Sequence, residues 1–298
     1  MTGERRALRE DITRLGPWHH DVEVAPGIRT GDPALAPASD PAGGTPSVIR
    51  PSALLTPLVQ ELFGGSLAGR SFLDCACNAG GYVFGATALG SPRAYGFDVR
   101  RHWIDQAEFL ARHLPSDGAA FGCHDLADLP GRGLEPFDVT LFSGIFYHLP
   151  DPVAGLRIAA TLTREVLMVN TSTLPGSGDA LMLNPESDTE LMSGVHRLAW
   201  LPTGPRVMDA ILGWCGFPYT RLVFDRPTTS GRRRIFILAA RTPEIFAGTA
   251  FGATATRGGL AGWTKAAIGR LGGATRSWRR AHARMAAPPT SRPSSSPS

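Results

Sequence analysis

Three acidic residues close three short apolar segments of this sequence, at the points where strands would end. Asp74 lies in SFLDCAC, Asp98 closes AYGFDV and Asp125 closes AAFGCHD. In an open parallel sheet, ligands bind beyond the carboxyl ends of the strands. Carboxylates there can accept hydrogen bonds from ribose hydroxyls, an amino group or an ammonium group. The sequence therefore predicts a site for a nucleoside-containing ligand.

The loop after the first of these strands, LDCACNAGG, differs from a phosphate-binding turn. A dinucleotide requires the G-x-G-x-x-G pattern at a helix N-terminus, whereas Ala76, Asn78 and Gly80 stand in its place. The only lysine in the chain is Lys265, so no P-loop lysine is present. The loop favours a ligand with a nucleoside and no phosphate, and S-adenosylmethionine fits this description. We expect Asp98 to bind its ribose, 18 residues after Gly80, and Asp74 or loop carbonyls to hold its ammonium group.

Further candidates follow the third and fourth strands. The segment His124-Asp125-Leu126 is predicted to contact adenine through the carboxylate of Asp125, with Leu126 beside it. In FDVTLFSGIFYHLPDP we expect Ser143 to contact the cofactor and Tyr147 to contact the cofactor or the acceptor.

A histidine is the natural general base near neutral pH. His148, just after the fourth strand, is the leading candidate for this role. His196 and the pair His19-His20 are alternatives, since the segments that carry them could fold over the site. No HxxxH spacing is present, and we predict no metal site.

Short apolar strands alternate with helical patterns over most of the chain, which predicts a doubly wound, mainly parallel α/β sheet. Residues 1–50 form a loop-rich arm with one short helix. Residues 51–241 form the main domain, and an insertion over 173–205 is predicted to act as a lid. Residues 242–298 form a basic tail that we expect to be largely disordered.

Charge divides unevenly along the chain. Residues 242–298 contain eight basic residues and one acid, a net charge of +7, so residues 1–241 carry −3 of the formal total of +4. The main domain thus has no excess of positive charge for a polyanion, whereas the tail could contact an anionic membrane, nucleic acid or a protein partner. The four cysteines lack paired CxxC spacing, and a chain of this length does not need disulfides. No apolar run is long enough to span a membrane. We therefore expect a cytoplasmic protein without a transmembrane segment.

Five segments taken together resemble a known family: LDCACNAGGY, YGFD, Gln106-Ala107-Glu108, FDVTLFSGIFYHLPDP and LPTGPRVMDAILGWCGF. In order and spacing they are similar to class I S-adenosylmethionine-dependent methyltransferases, and within these to the group of tRNA wobble-uridine carboxymethyltransferases. The resemblance covers about residues 47–241. It implies a seven-stranded Rossmann-like sheet and S-adenosylmethionine as the cofactor.

The sequence also departs from the family. Such enzymes usually have Gly where Ala76 stands. The carboxymethyl-transferring relatives hold the extra carboxylate of their cofactor with a Lys, a Tyr and an Arg. Tyr147 matches the Tyr and one residue of Arg232–Arg234 matches the Arg, but the Lys has no counterpart, since Arg50 is the only cation in the corresponding segment. Arg and Lys are not equivalent at a shaped carboxylate site.

These observations predict methyl transfer from unmodified S-adenosylmethionine to a small-molecule acceptor, most readily at oxygen. Modification of tRNA wobble uridine by methyl or carboxymethyl transfer is the first alternative, with the basic tail supplying the RNA contacts. A noncatalytic binding module with a methyltransferase fold is the second.

Overall fold

The computed structural model describes residues 3–36, 48–176, 178–187 and 190–252. The predicted tail beyond residue 252 lies outside the described residues, as does part of the amino-terminal arm. The described helices are α1 (Gly3–Leu15), α2 (Pro51–Phe63), α3 (Gly81–Ala88), α4 (Arg101–His113), α5 (Pro152–Thr161) and α6 (Pro205–Trp214). None of the helices in these ranges combines the length and apolar character needed to cross a membrane.

The described strands number eleven. They are β1 (Glu23–Ala25), β2 (Ile28–Arg29), β3 (Phe72–Cys75), β4 (Ala94–Asp98), β5 (Ala119–Cys123), β6 (Phe137–Ser143), β7 (Thr163–Thr173), β8 (Leu181–Pro185), β9 (Leu198–Pro202), β10 (Tyr219–Pro227) and β11 (Arg233–Ala240).

Seven strands form the central sheet in the order β10-β11-β7-β6-β3-β4-β5. Strands β3 to β7 are mutually parallel, and β11 runs antiparallel to both of its neighbours, β7 and β10. This confirms the predicted Rossmann-like, mainly parallel, seven-stranded sheet. The strand order reverses between β3 and β6, so the carboxyl ends of these two strands border the crevice in which such folds bind ligands.

The predicted alternation of short apolar strands and helices is present over the main domain. Leu73 and Cys75 of β3 belong to the core cluster that also contains Leu156 of α5 and Met208 of α6. Since side chains alternate along a strand, Asp74 points to the other face of the sheet.

The amino-terminal arm packs on the main domain. Trp18 is 4% exposed, lies 6.0 Å from Phe109 of α4 between ring centroids, and shares a core cluster with Ile12 of α1 and Phe84 of α3. Gln106 of α4 donates hydrogen bonds to the carbonyls of Leu15 and Pro17. The arm is thereby fixed beside the helix that follows β4.

The insertion contains a β-hairpin that the sequence analysis did not predict. Strand β8 pairs antiparallel with β9, with Leu183 opposite Trp200. Strand β8 has no buried residue and β9 is only partly buried, whereas central strands such as β3 and β6 are buried along most of their length.

Candidate functional site

The loop between β3 and α3 adopts two left-handed backbone conformations at residues other than glycine. Ala76 has φ of +60° and Asn78 has φ of +51°, at the positions where the phosphate-binding pattern has glycines. Asn tolerates this region, whereas Ala does so at a cost of about 1–2 kcal/mol. Strain of this kind persists where the surrounding structure demands it, typically at ligand sites. The loop therefore keeps a glycine-type path although two of the glycines are absent.

Two buried carboxylates lie under this loop. Asp74 of β3 is opposite Gly96 of β4, and Asp98 lies two residues further along β4 on the same face. Asp98 is 6% exposed and accepts hydrogen bonds from the backbone N–H of Asn78 at 3.1 Å and of Arg100 at 3.0 Å. Burial raises the pKa of Asp98, although these two donors and the Arg100 charge act against it.

Asp74 differs from Asp98 in lacking this support. It is 1% exposed, and among the described residues its Oδ2 has no hydrogen-bond partner. Burial, and then the charge of Asp98, raise the pKa of Asp74 well above its usual range. Such strongly perturbed groups concentrate at functional sites. An orphaned carboxylate oxygen beside a second acid is suited to a cationic donor.

Asp125 and Leu126 follow β5. Asp125 is the N-cap of the short 3-10 helix Leu126–Arg132 and accepts the N–H of Ala127 at 2.9 Å through Oδ1. Its Oδ2 lies 3.7 Å from Nε2 of His196 in the insertion. Leu126 is buried. Asp125 is thus placed at the strand end as expected, with one carboxylate oxygen used in capping.

Polar groups also meet at the carboxyl ends of β6 and β7. Ser143 accepts a hydrogen bond from Nδ2 of Asn170 at 3.2 Å. Tyr147 Oη accepts one from Nη1 of Arg234 at 2.8 Å, and the same nitrogen donates to Ser172 at 3.0 Å. Of the three arginines in the Arg232–Arg234 run, the structure places Arg234 against Tyr147.

The leading candidate base, His148, is paired with an acid that the sequence analysis did not single out. Its Nδ1 lies 2.7 Å from Oε2 of Glu186, which follows β8 in the insertion. No local pattern distinguishes Glu186 from other acids of the insertion, because the pair joins residues 38 positions apart.

The other predicted histidines take different positions. His20 is 3% exposed, and its Nδ1 accepts the N–H of Gly81 at the start of α3 at 3.1 Å. Burial, with the neighbouring His19, lowers the pKa of His20 well below its ordinary value, so the neutral ring acts as the acceptor. Within the described ranges no group of three or more His, Cys, Asp or Glu side chains could hold a metal ion.

Residues of the insertion contact the loops after four neighbouring strands. Met192 Sδ lies 4.0 Å from Nδ2 of Asn78, and the carbonyl of Ser193 accepts a hydrogen bond from Arg100. As described above, His196 contacts Asp125, and Glu186 contacts His148. The insertion therefore lies over the carboxyl ends of β3, β4, β5 and β6.

Comparisons with known proteins agree with this geometry. Residues 67–193 match the family model described as "Methyltransferase domain". The chain is 30% identical over 152 residues to a tRNA U34 carboxymethyltransferase of Campylobacter hominis, covering 50% of each chain. It is 32% identical over 186 residues to that of Campylobacter lari, covering 61% of this chain and 59% of the relative. The chain thus spans between a half and three fifths of the length of these relatives.

Among solved structures, the N-terminal domain of EvdMO1, crystallised in the presence of SAH and D-fucose, has the same fold. The TM-score is 0.63 at 20% identity, over 80% of this chain and 97% of that one. The sequence and structure matches together confirm the predicted resemblance to class I methyltransferases and to the tRNA-modifying group within them.

Proposed function

We infer from the methyltransferase domain in residues 67–193 that the chain is an S-adenosylmethionine-dependent methyltransferase, and we propose that it methylates a hydroxyl oxygen of a small-molecule acceptor. One observation carries this proposal. Oδ2 of Asp74 has no partner among the described residues and lies beside Asp98, where the strand order reverses. The loop above it has Ala76 and Asn78 where a phosphate-binding loop has glycines.

The residues present fit this cofactor. The two carboxylates Asp74 and Asp98 suit a ligand that carries a positive ammonium and a positive sulfonium group. Asp74 would accept from the ammonium, and Asp98, whose oxygens retain free lone pairs, would accept from the ribose hydroxyls. Asp125 with Leu126 would hold the adenine. The loop residues Ala76, Asn78 and Gly80, with Ser143, would line the rest of the site.

When bound, S-adenosylmethionine would supply an electrophilic methyl group on a sulfonium, and Nε2 of His148 would accept the proton of the acceptor hydroxyl. His148 can take this proton because its Nδ1 faces the carboxylate of Glu186 and so leaves Nε2 as the acceptor. Tyr147 lies against His148, with 4.1 Å between ring centroids, and would contact the acceptor or the cofactor.

Two observations support a small acceptor. Residues 1–241 have a net charge of −3, which does not attract a polyanion. The insertion also covers the ends of four strands, which leaves a covered site more suited to a small molecule than to a folded RNA.

Calorimetry and labelling test this function. We expect S-adenosylmethionine to bind the wild-type protein and Asp98→Ala to lose the signal. Protein incubated with methyl-labelled S-adenosylmethionine and host extract should transfer label to the small-molecule fraction. Absence of cofactor binding would rule out the enzyme and favour a binding module, whereas label in RNA would refute the small acceptor.

A second candidate, carboxymethyl transfer to tRNA wobble uridine, is favoured by the relatives and by the contact between Tyr147 and Arg234. The missing lysine weighs against it. Arg50, the only cation of the corresponding segment, lies 2.6 Å from Asp21 through its Nε and is therefore already paired with a buried acid.

The two candidates differ in their preferred cofactor. For methyl transfer, S-adenosylmethionine should bind at least as tightly as its carboxylated form. Carboxymethyl transfer requires the carboxylated form to bind much more tightly, with a preference that Arg234→Ala removes. Arg232→Ala is the matched control, because Arg232 lies two residues before Arg234, immediately before β11 begins.

A further inference from the structure

The carboxylate of Glu186 makes two contacts in the covered site. Its Oε2 lies 2.7 Å from Nδ1 of His148 and accepts the backbone N–H of Gly194 at 3.0 Å. The two side chains are 17% and 16% exposed, so the pair is largely shielded from water. A shielded hydrogen bond to an ionised group is stronger than one in solvent.

The geometry points to Glu186 as a positioning residue for the transfer reaction: it fixes the ring orientation and tautomer of His148 so that Nε2 accepts the acceptor's proton. This inference rests on the proposed function. A carboxylate can only accept a hydrogen bond, so Nδ1 must carry the hydrogen and the lone pair of neutral His148 must lie on Nε2. Without the carboxylate, either nitrogen could carry the hydrogen and the ring could rotate.

The surroundings of His148 supply few other groups that could do this. The Tyr147 ring is tilted against the His148 ring, with 4.1 Å between centroids, and its hydroxyl accepts a hydrogen bond from Arg234 at 2.8 Å. Among the described contacts of His148, the titratable partners are thus Glu186 and Tyr147, and Tyr147 in turn contacts Arg234. Glu186 alone among them contacts Nδ1 in the described structure.

Gly194 shows how closely the pair is packed. A Cβ at this position would lie 2.9 Å from Oε2 of Glu186 and 2.9 Å from Cβ of His148. A side chain there would push the carboxylate away from the imidazole, so only glycine permits this approach.

The pair also joins the base to the insertion. Glu186 and Gly194 belong to the same segment as Met192 and Ser193, which contact Asn78 and Arg100 at the cofactor loop and after β4. The hydrogen bond between Glu186 and His148 is thus made by the same segment that contacts the cofactor loop and the residues after β4.

The first test is spectroscopic and needs no substrate. In cofactor-free protein labelled with ¹⁵N at the imidazoles, in alkaline buffer, we expect His148 to show the Nδ1–H tautomer. The signal is assigned with His148→Gln. In Glu186→Gln the amide oxygen can still accept from Gly194 and from Nδ1, so the informative variant is Glu186→Ala, in which no carboxylate accepts from Nδ1 and the Nε2–H tautomer should appear. An Nε2–H tautomer in the wild type, or no change in Glu186→Ala, overturns the inference.

The second test separates rate from binding. With S-adenosylmethionine varied against the small-molecule fraction of host extract, Glu186→Ala should lower the maximal rate about 10- to 100-fold, no more than the 10²- to 10⁴-fold contribution of a general base. Affinity for S-adenosylmethionine by calorimetry and its KM should change less than about threefold, because Glu186 contacts the base and not the predicted cofactor residues. Glu186→Asp should recover part of the rate.

Glu190→Ala is the matched control, as an exposed acid of the same insertion, and should retain the wild-type rate. An unchanged maximal rate in Glu186→Ala, or a loss seen only in KM, overturns the positioning role. If the wild type binds no S-adenosylmethionine, the proposed function itself fails and the positioning role falls with it. If the wild type binds the cofactor and Glu186→Ala leaves rate and tautomer unchanged, this inference alone fails.

Discussion

Replacing Asp74 by Asn should stabilise the cofactor-free protein at neutral pH and weaken cofactor binding. Burial and Asp98 raise the pKa of Asp74 above its unfolded-state value, so the folded state holds this proton more tightly. Stability is therefore lost as the pH rises from the ordinary carboxyl range through the raised pKa. The loss has a limiting slope of about 1.4 kcal/mol per pH unit. Because Asn resembles the protonated acid, Asp74→Asn should match the wild type near pH 4 and exceed its stability at pH 7.

The effect on binding should have the opposite sign. The unpartnered Oδ2 is available to a cationic donor, and a hydrogen bond to a charged group contributes about 1.5–3 kcal/mol. Its loss corresponds to roughly 10- to 150-fold weaker binding. At a cofactor concentration of about 100 times the wild-type Kd, binding stabilises the protein by about 2.7 kcal/mol. A 30-fold weaker site would leave about 0.9 kcal/mol.

Differential scanning calorimetry with and without S-adenosylmethionine measures both effects. At about 2–4 °C per kcal/mol, the cofactor-induced rise in Tm should fall from roughly 5–11 °C to roughly 2–4 °C. Asp98→Asn is the matched comparison. Its amide can replace only one of the two acceptor oxygens that serve Asn78 and Arg100, so we expect lower stability, because an unsatisfied amide costs about 1–3 kcal/mol. A less stable Asp74→Asn at pH 7, or unchanged cofactor affinity, would refute the reasoning.

Three further variants probe the loop and the arm. Gly80→Ala should lower the free energy of unfolding in urea by more than about 2 kcal/mol, because a Cβ would lie 2.4 Å from Cε1 of Phe121. Gly64→Ala is the control, with a similar positive φ and open space around it, and should lower it by only about 1 kcal/mol. Equal losses in the two variants would contradict the clash with Phe121. Ala76→Gly should change the free energy of unfolding by less than about 1 kcal/mol, because relief of the left-handed strain is offset by the added entropy of glycine in the unfolded chain. Its affinity for the cofactor should not fall. Weaker binding would show that the methyl group of Ala76 contacts the ligand. His20→Ala should cost about 1–2 kcal/mol at pH 8 through the orphaned N–H of Gly81. This difference should shrink below about pH 6.5, because the lowered pKa of His20 makes the wild type lose stability as it is forced to protonate; a difference independent of pH would argue against the neutral acceptor.

The strand ends were predictable from the sequence because hydrophobic periodicity and strand-end acids are local signals. They located Asp74, Asp98, Asp125, Ser143 and His148 at one edge of the sheet. The same local patterns failed at the hairpin of the insertion, where short strands of mixed burial give no clear period.

The pairing of side chains across the site was not predictable, since it joins residues far apart in the chain. The contacts of His148 with Glu186, His20 with Gly81 and Tyr147 with Arg234 span 38, 61 and 87 positions. Nothing in the order of Arg232, Arg233 and Arg234 indicates which of them faces Tyr147. That choice depends on the register of β11 against β7, which places Arg234 opposite Ser172.

By itself, the sequence determined the layered α/β fold and the acids at its strand ends, because those depend on the period of apolar residues along each element. The tertiary structure decided which acid has an oxygen without a hydrogen-bond partner among the described residues and which histidine lies against a carboxylate. Asp74 and Asp98 look alike in the sequence. In the folded chain, Asn78 of the loop after β3 and Arg100 after β4 each donate a backbone N–H to Asp98, whereas Oδ2 of Asp74 has no partner among the described residues. The reason is that hydrogen bonds depend on angstrom-scale positions that chain segments acquire only when they pack together.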